Sequence, residues 1–191
     1  MINLLLLYKL TFVFVSALEL GQPLPMSATK MQNVDGHRLS IGEIKGERGT
    51  LVFFGSNVCQ MVKAWDDRIK ALGTTYQPKG IATVMINSNS GGDESLEAMK
   101  KKTYPFPYLK DDDGKVAEAF SAKTTPAAYV FNKRNQLVYR GTIDDNATNA
   151  PAVKAHYLRD ALEAVLKNKK VKTETTDLIG SPIVARATES K

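Results

Sequence analysis

"GTLVFFGSNVCQMVKAW", residues 49–65, changes its hydrophobic period halfway through. Gly49 to Ser56 is a continuous apolar run bounded by Gly and Ser, the pattern of a strand buried on both faces. From Cys59 onward, Val62, Trp65, Ile69 and Leu72 recur at steps of three and four, so they line one face of a helix. Asp66, Asp67, Arg68 and Lys70 take the other face; Ser56 or Asn57 can cap the start, and Gly73 ends the helix. Cys59 thus falls at a strand-to-helix junction, beside unpaired helix amides and the positive end of the dipole. Such a setting can bring a cysteine pKa to about 3.5–7.5. Junctions after a central strand are also where α/β folds place ligands. The plainer alternative is a packed thiol, since free cysteine behaves as a small hydrophobe.

The same periodicities read outward along the chain. "GIATVMINSNS" is a second buried strand that ends in a polar, Gly-rich loop. Asp93 or Ser95 can cap a helix over Leu96 to Lys102. "YPFPYL" follows, and its prolines predict an extended loop or an edge rather than a central strand. Asp111 to Gly114 reads as a solvated turn, without the alternating ligands of a calcium loop. Val116 to Phe120 is a short helix, and Ala127 to Phe131 and Leu137 to Gly141 form a hairpin. The last helix lies in "NAPAVKAHYLRDALEAVLKN", with Pro151 in its first turn. A strand–helix–strand crossover implies a parallel pair, and the hairpin adds antiparallel strands. The economical packing is an α/β fold, a central mixed β-sheet flanked by helices on both faces. That is the layout of a thioredoxin fold.

The 191 residues, 43% of them hydrophobic, fit one globular domain with an added segment at an end. The division expected is a signal peptide at 1–17, a linker at 18–32, the domain at 33–168 and a C-terminal extension at 169–191. One cysteine excludes an intramolecular disulfide and a multi-cysteine zinc site, and neither His37 nor His156 has a partner in sequence, so no metal is expected. The net charge of +6 is spread without interleaved aromatic residues, which argues against nucleic acid. Residues 1–17 are almost wholly apolar and end in Val15-Ser16-Ala17, small residues suited to cleavage, so the protein is expected to be exported, to a periplasm or the extracellular space. Two readings stand beside this one. An uncleaved anchor is opposed by the short run and by Lys9, so no stable membrane span is expected. A start at Met26 would leave the protein in the cytoplasm.

With the element order in view, four segments acquire a resemblance: "NVDGHRLSIGEIKGERGTLVFF", "NVCQMVKAWDDRI", "TTPAAYVFNKRNQLVYRGTIDDN" and "YLRDALEAVLKNKKV". The chain resembles the thioredoxin-like redoxins grouped with the peroxiredoxins, the alkyl hydroperoxide reductase and thiol-specific antioxidant superfamily. The resemblance implies that Cys59 is the reacting thiol and that Thr125-Pro126 is a cis-proline loop facing it. It implies that Asn57, Gln60, Thr125 and Pro126 border a substrate groove, where the Thr125 backbone pairs with an extended substrate. This chain also departs from the family. Gln60 stands where proline usually follows the cysteine, and Val62 stands where a C-x-x-C would have its second cysteine. Gly180-Ser181-Pro182-Ile183 replaces a Gly-Cys-Ser-Ile segment. Position 56 is serine rather than the activating threonine of true peroxiredoxins, and Arg140 does not plainly match their arginine.

The activity implied is that of a thiol-dependent oxidoreductase without a cofactor. Cys59 would reduce a peroxide or exchange with a disulfide, and an external thiol or thiol protein would regenerate it. The reading from another class is a binding or scaffold module of the same fold that has lost catalysis. Intact-mass measurement of the natural protein tests the export reading: the mass of a chain beginning at Leu18 is expected, and a mass beginning at Met1 or Met26 rules out cleavage after Ala17.

Overall fold

The computed structural model describes residues 18–186. Its strands are β1 (Met31–Asn33), β2 (Arg38–Leu39), β3 (Gly49–Phe54), β4 (Ile81–Asn87), β5 (Tyr108–Lys110), β6 (Thr124–Thr125), β7 (Ala127–Asn132), β8 (Leu137–Gly141) and β9 (Ser181–Pro182). The helices are α1 (Ile41–Ile44), α2 (Gln60–Tyr76), α3 (Leu96–Met99), α4 (Lys115–Phe120) and α5 (Tyr157–Leu166). Seven strands form one sheet in the order β2-β1-β5-β4-β3-β7-β8, and β6 pairs with β9 apart from it. β3 runs parallel to β4 and antiparallel to β7, which makes the sheet mixed. This is the thioredoxin-like α/β architecture expected from the element order.

Successive residues of a strand point to opposite faces, and β3 uses both. Leu51 and Phe53 join Trp65, Ile69 and Tyr76 of α2 and Leu158, Leu162 and Val165 of α5 in one core. Val52 and Phe54 join Ile41 of α1 and Val116 and Phe120 of α4 in the other. The helices therefore lie on both faces of the sheet.

Several boundaries differ from the sequence reading, each for a packing reason. α2 continues through Gly73 to Tyr76. A Cβ at Gly73 would strike the ring of Phe106, so the glycine gives room for an aromatic contact and does not stop the helix. β5 lies inside the sheet between β4 and β1, not at an edge. Its prolines end at Pro107, whose carbonyl accepts from the Met85 amide, while the Tyr108 amide donates to Asn33 Oδ1. Pro151 sits in a separate 3-10 turn, Ala150–Ala152, and the helix proper begins at Tyr157. Asp111 is buried rather than solvated: it accepts from Ser88 Oγ and from the Val116 and Ala117 amides, fixing the start of α4.

The flanks of the domain are packed onto it. Residues 18–32, read as a linker, bury Leu18 and Leu24 in the core. The Gly21 amide donates to the Leu137 carbonyl, Leu137 donates to Gln22, and Leu24 donates to Asn135. The C-terminal extension buries Val171, runs beside β8 at Thr175 and Thr176, and then forms β9. The signal-peptide reading concerns residues 1–17, which lie outside the described residues. Among those described, no helix is long and apolar enough to cross a membrane.

If residues 18–32 belong to the folded unit, Leu24→Ala should lower the unfolding free energy by about 2–5 kcal/mol, the usual cost of emptying a buried leucine site. Urea denaturation measures this, and a free linker would show no change.

Candidate functional site

β3 ends at Phe54, and five residues later Cys59 becomes the N-cap of α2. The sequence suggested Ser56 or Asn57 for that cap. Ser56 instead secures the turn before it. Its hydroxyl accepts from the Cys59 amide at 3.0 Å and the Val58 amide at 3.2 Å, and donates to the Glu94 carboxylate. Glu94 is buried. It also accepts from the Asn57 amide at 2.8 Å and from Asn87 Nδ2 at 2.7 Å. Tyr108 completes the ring, donating to Asn57 Oδ1 and accepting from Asn87 Nδ2. A buried carboxylate is tolerated only when its oxygens are hydrogen-bonded, and here those bonds fix the loop that presents Cys59.

The Cys59 residue is 3% exposed, and Sγ lies 3.1 Å from the Thr125 carbonyl, to which the thiol donates. The Thr125–Pro126 bond is cis, as the resemblance implied. Thr125 pairs in register with Ser181 across the β6–β9 ladder. The tail of the chain thus reaches the sulfur, which the sequence reading did not foresee. Burial pushes the Cys59 thiol up, but hydrogen bonds to the thiolate outweigh it, so the net shift is downward. The Ser181 hydroxyl leads these, followed by the amides of Val62 and Ser181 and the Thr125 hydroxyl. That threonine hydroxyl is buried and otherwise has no hydrogen-bond partner, so it is free to serve a negative sulfur.

The residues singled out in the sequence divide into two groups around the sulfur. Asn57, Cys59 and Gln60 line a cleft of about 470 Å³, with Lys63 and Tyr104 on its wall. Gln60 is exposed there as the first residue of α2, whereas both polar ends of Asn57 are held, by the Asp93 carbonyl and by Tyr108. Thr125 and Pro126 are buried and border no part of that cleft; they lie where β9 runs. Glu94 and Ser181 were missed. Glu94 sits in "GGDESLEAM", where an acidic residue near a helix start reads as surface capping. Ser181 stands out in the sequence only as the replacement for a cysteine.

Arg140 and Ser56, neither of which the sequence matches plainly to the activating pair of a peroxiredoxin, are engaged elsewhere. Arg140 Nη1 donates to the Leu18 carbonyl at 2.8 Å. The Ser56 proton goes to Glu94.

The model of the AhpC/TSA family matches residues 20–140, and the chain belongs to that family. A solved structure of an uncharacterized conserved protein from Geobacillus kaustophilus is 34% identical, with a TM-score of 0.83 over 91% of this chain and 95% of that one. A hypothetical protein of Sinorhizobium meliloti is 32% identical, with a TM-score of 0.81 over 91% of this chain and 98% of that one. The thiol-disulfide oxidoreductase YkuV of Bacillus subtilis is 26% identical over 125 residues, 63% of this chain and 83% of that protein.

A depressed folded-state value has a fixed sign: it stabilises the fold above the free-thiol value, and that increment is lost as pH falls through the folded value. The alkylation rate of Cys59 should therefore titrate with a midpoint below about 8.5, the free-cysteine value. Iodoacetamide labelling followed by mass spectrometry across pH checks it. A midpoint at or above the free value contradicts the donor arrangement.

Proposed function

We propose that this protein is a thiol-dependent oxidoreductase that acts by disulfide exchange at Cys59. The observation that carries this reading is the sulfur at the N-cap of α2, set 3.1 Å from the Thr125 carbonyl of the facing loop. The Cys59 thiolate attacks one sulfur of a partner disulfide. A new Cys59–partner bond forms, the old bond breaks, and the other sulfur leaves as thiolate. An external thiolate then attacks the partner sulfur of the mixed disulfide, so that a bond between external thiol and partner forms and Cys59 leaves as thiolate; the chain has no second cysteine for that step. The similarity to YkuV, a thiol-disulfide oxidoreductase, supports the same reaction class.

We favour disulfide over peroxide as the oxidant. A peroxide needs donors that stabilise its leaving oxygen; the sequence offers no clear match for them, and Ser56 and Arg140 have their protons directed to Glu94 and the Leu18 carbonyl. We also propose that the reaction takes place outside the cytoplasm, on the strength of the apolar leader alone. The binding-module reading keeps one specific observation in its favour, the near-complete burial of the sulfur.

Glutathionylated peptide with reduced glutathione as regenerating thiol tests the exchange. The wild-type chain should pass through a Cys59 adduct visible by intact mass and should release peptide thiol catalytically. Cys59→Ser should abolish both. Absence of any adduct, with hydrogen peroxide consumed instead, would turn the reading to peroxidase; absence of both would leave the binding module.

A further inference from the structure

The strand that covers Cys59 belongs to the chain itself. β9 lies antiparallel to β6, with Ser181 opposite Thr125 and Pro182 opposite Thr124. The Ile183 amide extends the ladder to the Lys123 carbonyl at 2.9 Å, and the Val184 amide donates to Asn89 Oδ1 at 2.9 Å. Its side chains alternate as those of a strand do. Ser181 and Ile183 turn inward, Ser181 to the sulfur and Ile183 to the core, while Pro182 and Val184 face solvent. At Gly180 the two backbones approach so closely that a Cβ would meet the Thr125 carbonyl and lie 3.3 Å from Pro126 Cδ.

We propose that residues 178–184 occupy the groove in which an extended polypeptide partner pairs with Thr125, so that Cys59 exchanges only after this segment lifts away. The partner then takes the same path: its cysteine stands where Ser181 stands, with a glycine immediately before it, because that position has no room for a side chain. This rests on the exchange reading given above.

The segment is built to leave. Its ladder is two residues long, and two-stranded ribbons are marginal by themselves. Ile179 and Val184 are each 61% exposed and Leu178 is 37% exposed, so detachment gives up the core contact of Ile183 and little other apolar burial. Few buried contacts and a short ladder mark the low-stability end of a fold, where opening is frequent.

Three measurements on the full chain decide it. In Ser181→Cys, oxidised glutathione should close a bridge between Cys59 and the introduced thiol, taking up two electrons and releasing two glutathione thiols. The product loses two hydrogens by mass and has no free thiol; glutathione adducts on both sulfurs without a bridge would overturn the proposal. Gly180→Val should wedge the segment out and raise Cys59 alkylation by iodoacetamide at least about tenfold, with the circular dichroism spectrum retained. An unchanged rate in a folded variant would overturn the proposal, and if that variant does not fold the bridge result decides. The third probe is a peptide of the Asp177–Arg186 sequence with cysteine in place of Ser181, offered as its glutathione disulfide to Gly180→Val. It should form the Cys59 adduct faster than the same peptide carrying alanine before its cysteine; equal rates would refute the glycine requirement. If alkylation rises but no disulfide peptide of either kind reacts, the exchange reading fails while the segment's role as cover stands.

Discussion

Every residue of β3 is buried, and this constraint orders the rest of the molecule. A strand covered on both faces needs a helical layer on each side and a hydrogen-bonded neighbour at each edge. β4 and β7 supply the edges, α2 and α5 one face, and α1 and α4 the other. The chain can leave such a strand only at its end. There it must turn out of the sheet and start α2, and Cys59 occupies that turn. The same constraint places β7 beside β3, so the residues that enter β7, Thr125 and Pro126, necessarily come near the same end. The meeting of sulfur and Thr125 carbonyl is thus a consequence of sheet order.

What holds the turn itself is polar. Ser56, Asn57, Asn87, Glu94 and Tyr108 form one connected set of hydrogen bonds behind the cysteine. Leaving a buried donor or acceptor unmade costs about 1–3 kcal/mol, so each member constrains the others more than its own bond is worth. This favours one loop conformation over alternatives in which the sulfur would sit elsewhere. It also separates two roles that a sequence alone runs together. Ser56 is close to Cys59 in sequence and touches its amide, yet its hydroxyl proton is directed away from the sulfur.

The legible part of the fold was the part written in side-chain period. β3, β4, α2 and the β7–β8 hairpin follow from runs and spacings, and the junction at Cys59 follows from a change of period between residues 54 and 62. The less legible part was set by long-range pairing. β5 reads as an extended loop or an edge because Pro105 and Pro107 lack the amides a central strand needs, yet the paired residues begin just after them. Gly73 reads as a helix stop until Phe106 is seen above it. The segments flanking the domain were read as linker and tail because their apolar residues are sparse: Leu18 and Leu24 at one end, Val171 and Ile183 at the other. Sparse apolar residues carry no period, and only the partner surface shows that each has a place. For the site, Cys59, Thr125 and Pro126 were readable from position and resemblance. Glu94 and Ser181 reach the cysteine loop from far along the chain, Glu94 across the 38 residues that separate it from Ser56, and nothing local marks them.

The environment of the sulfur contains opposed preferences, and they bear on how it works. The Thr125 carbonyl accepts from the thiol and offers nothing to the thiolate. The Ser181 and Thr125 hydroxyls and the Val62 and Ser181 amides do the reverse. Ionisation therefore exchanges one hydrogen bond for several, at the expense of desolvating a charge in a buried site. Two of those donors belong to Ser181, so the segment that hides the sulfur also contributes to its acidity. On the opening proposed above, burial of the charge costs less as water enters, and the Ser181 donors are lost at the same moment. The two changes oppose each other, and the thiolate is left with Val62, Thr125 and water. A partner strand pairing with Thr125 restores a backbone amide at the place of Ser181, with a sulfur where the hydroxyl had been. On that proposal the covered and the partner-bound states share one backbone arrangement around Cys59, and what differs between them is the atom set against the sulfur: an oxygen that donates a hydrogen bond, or a sulfur that can be attacked.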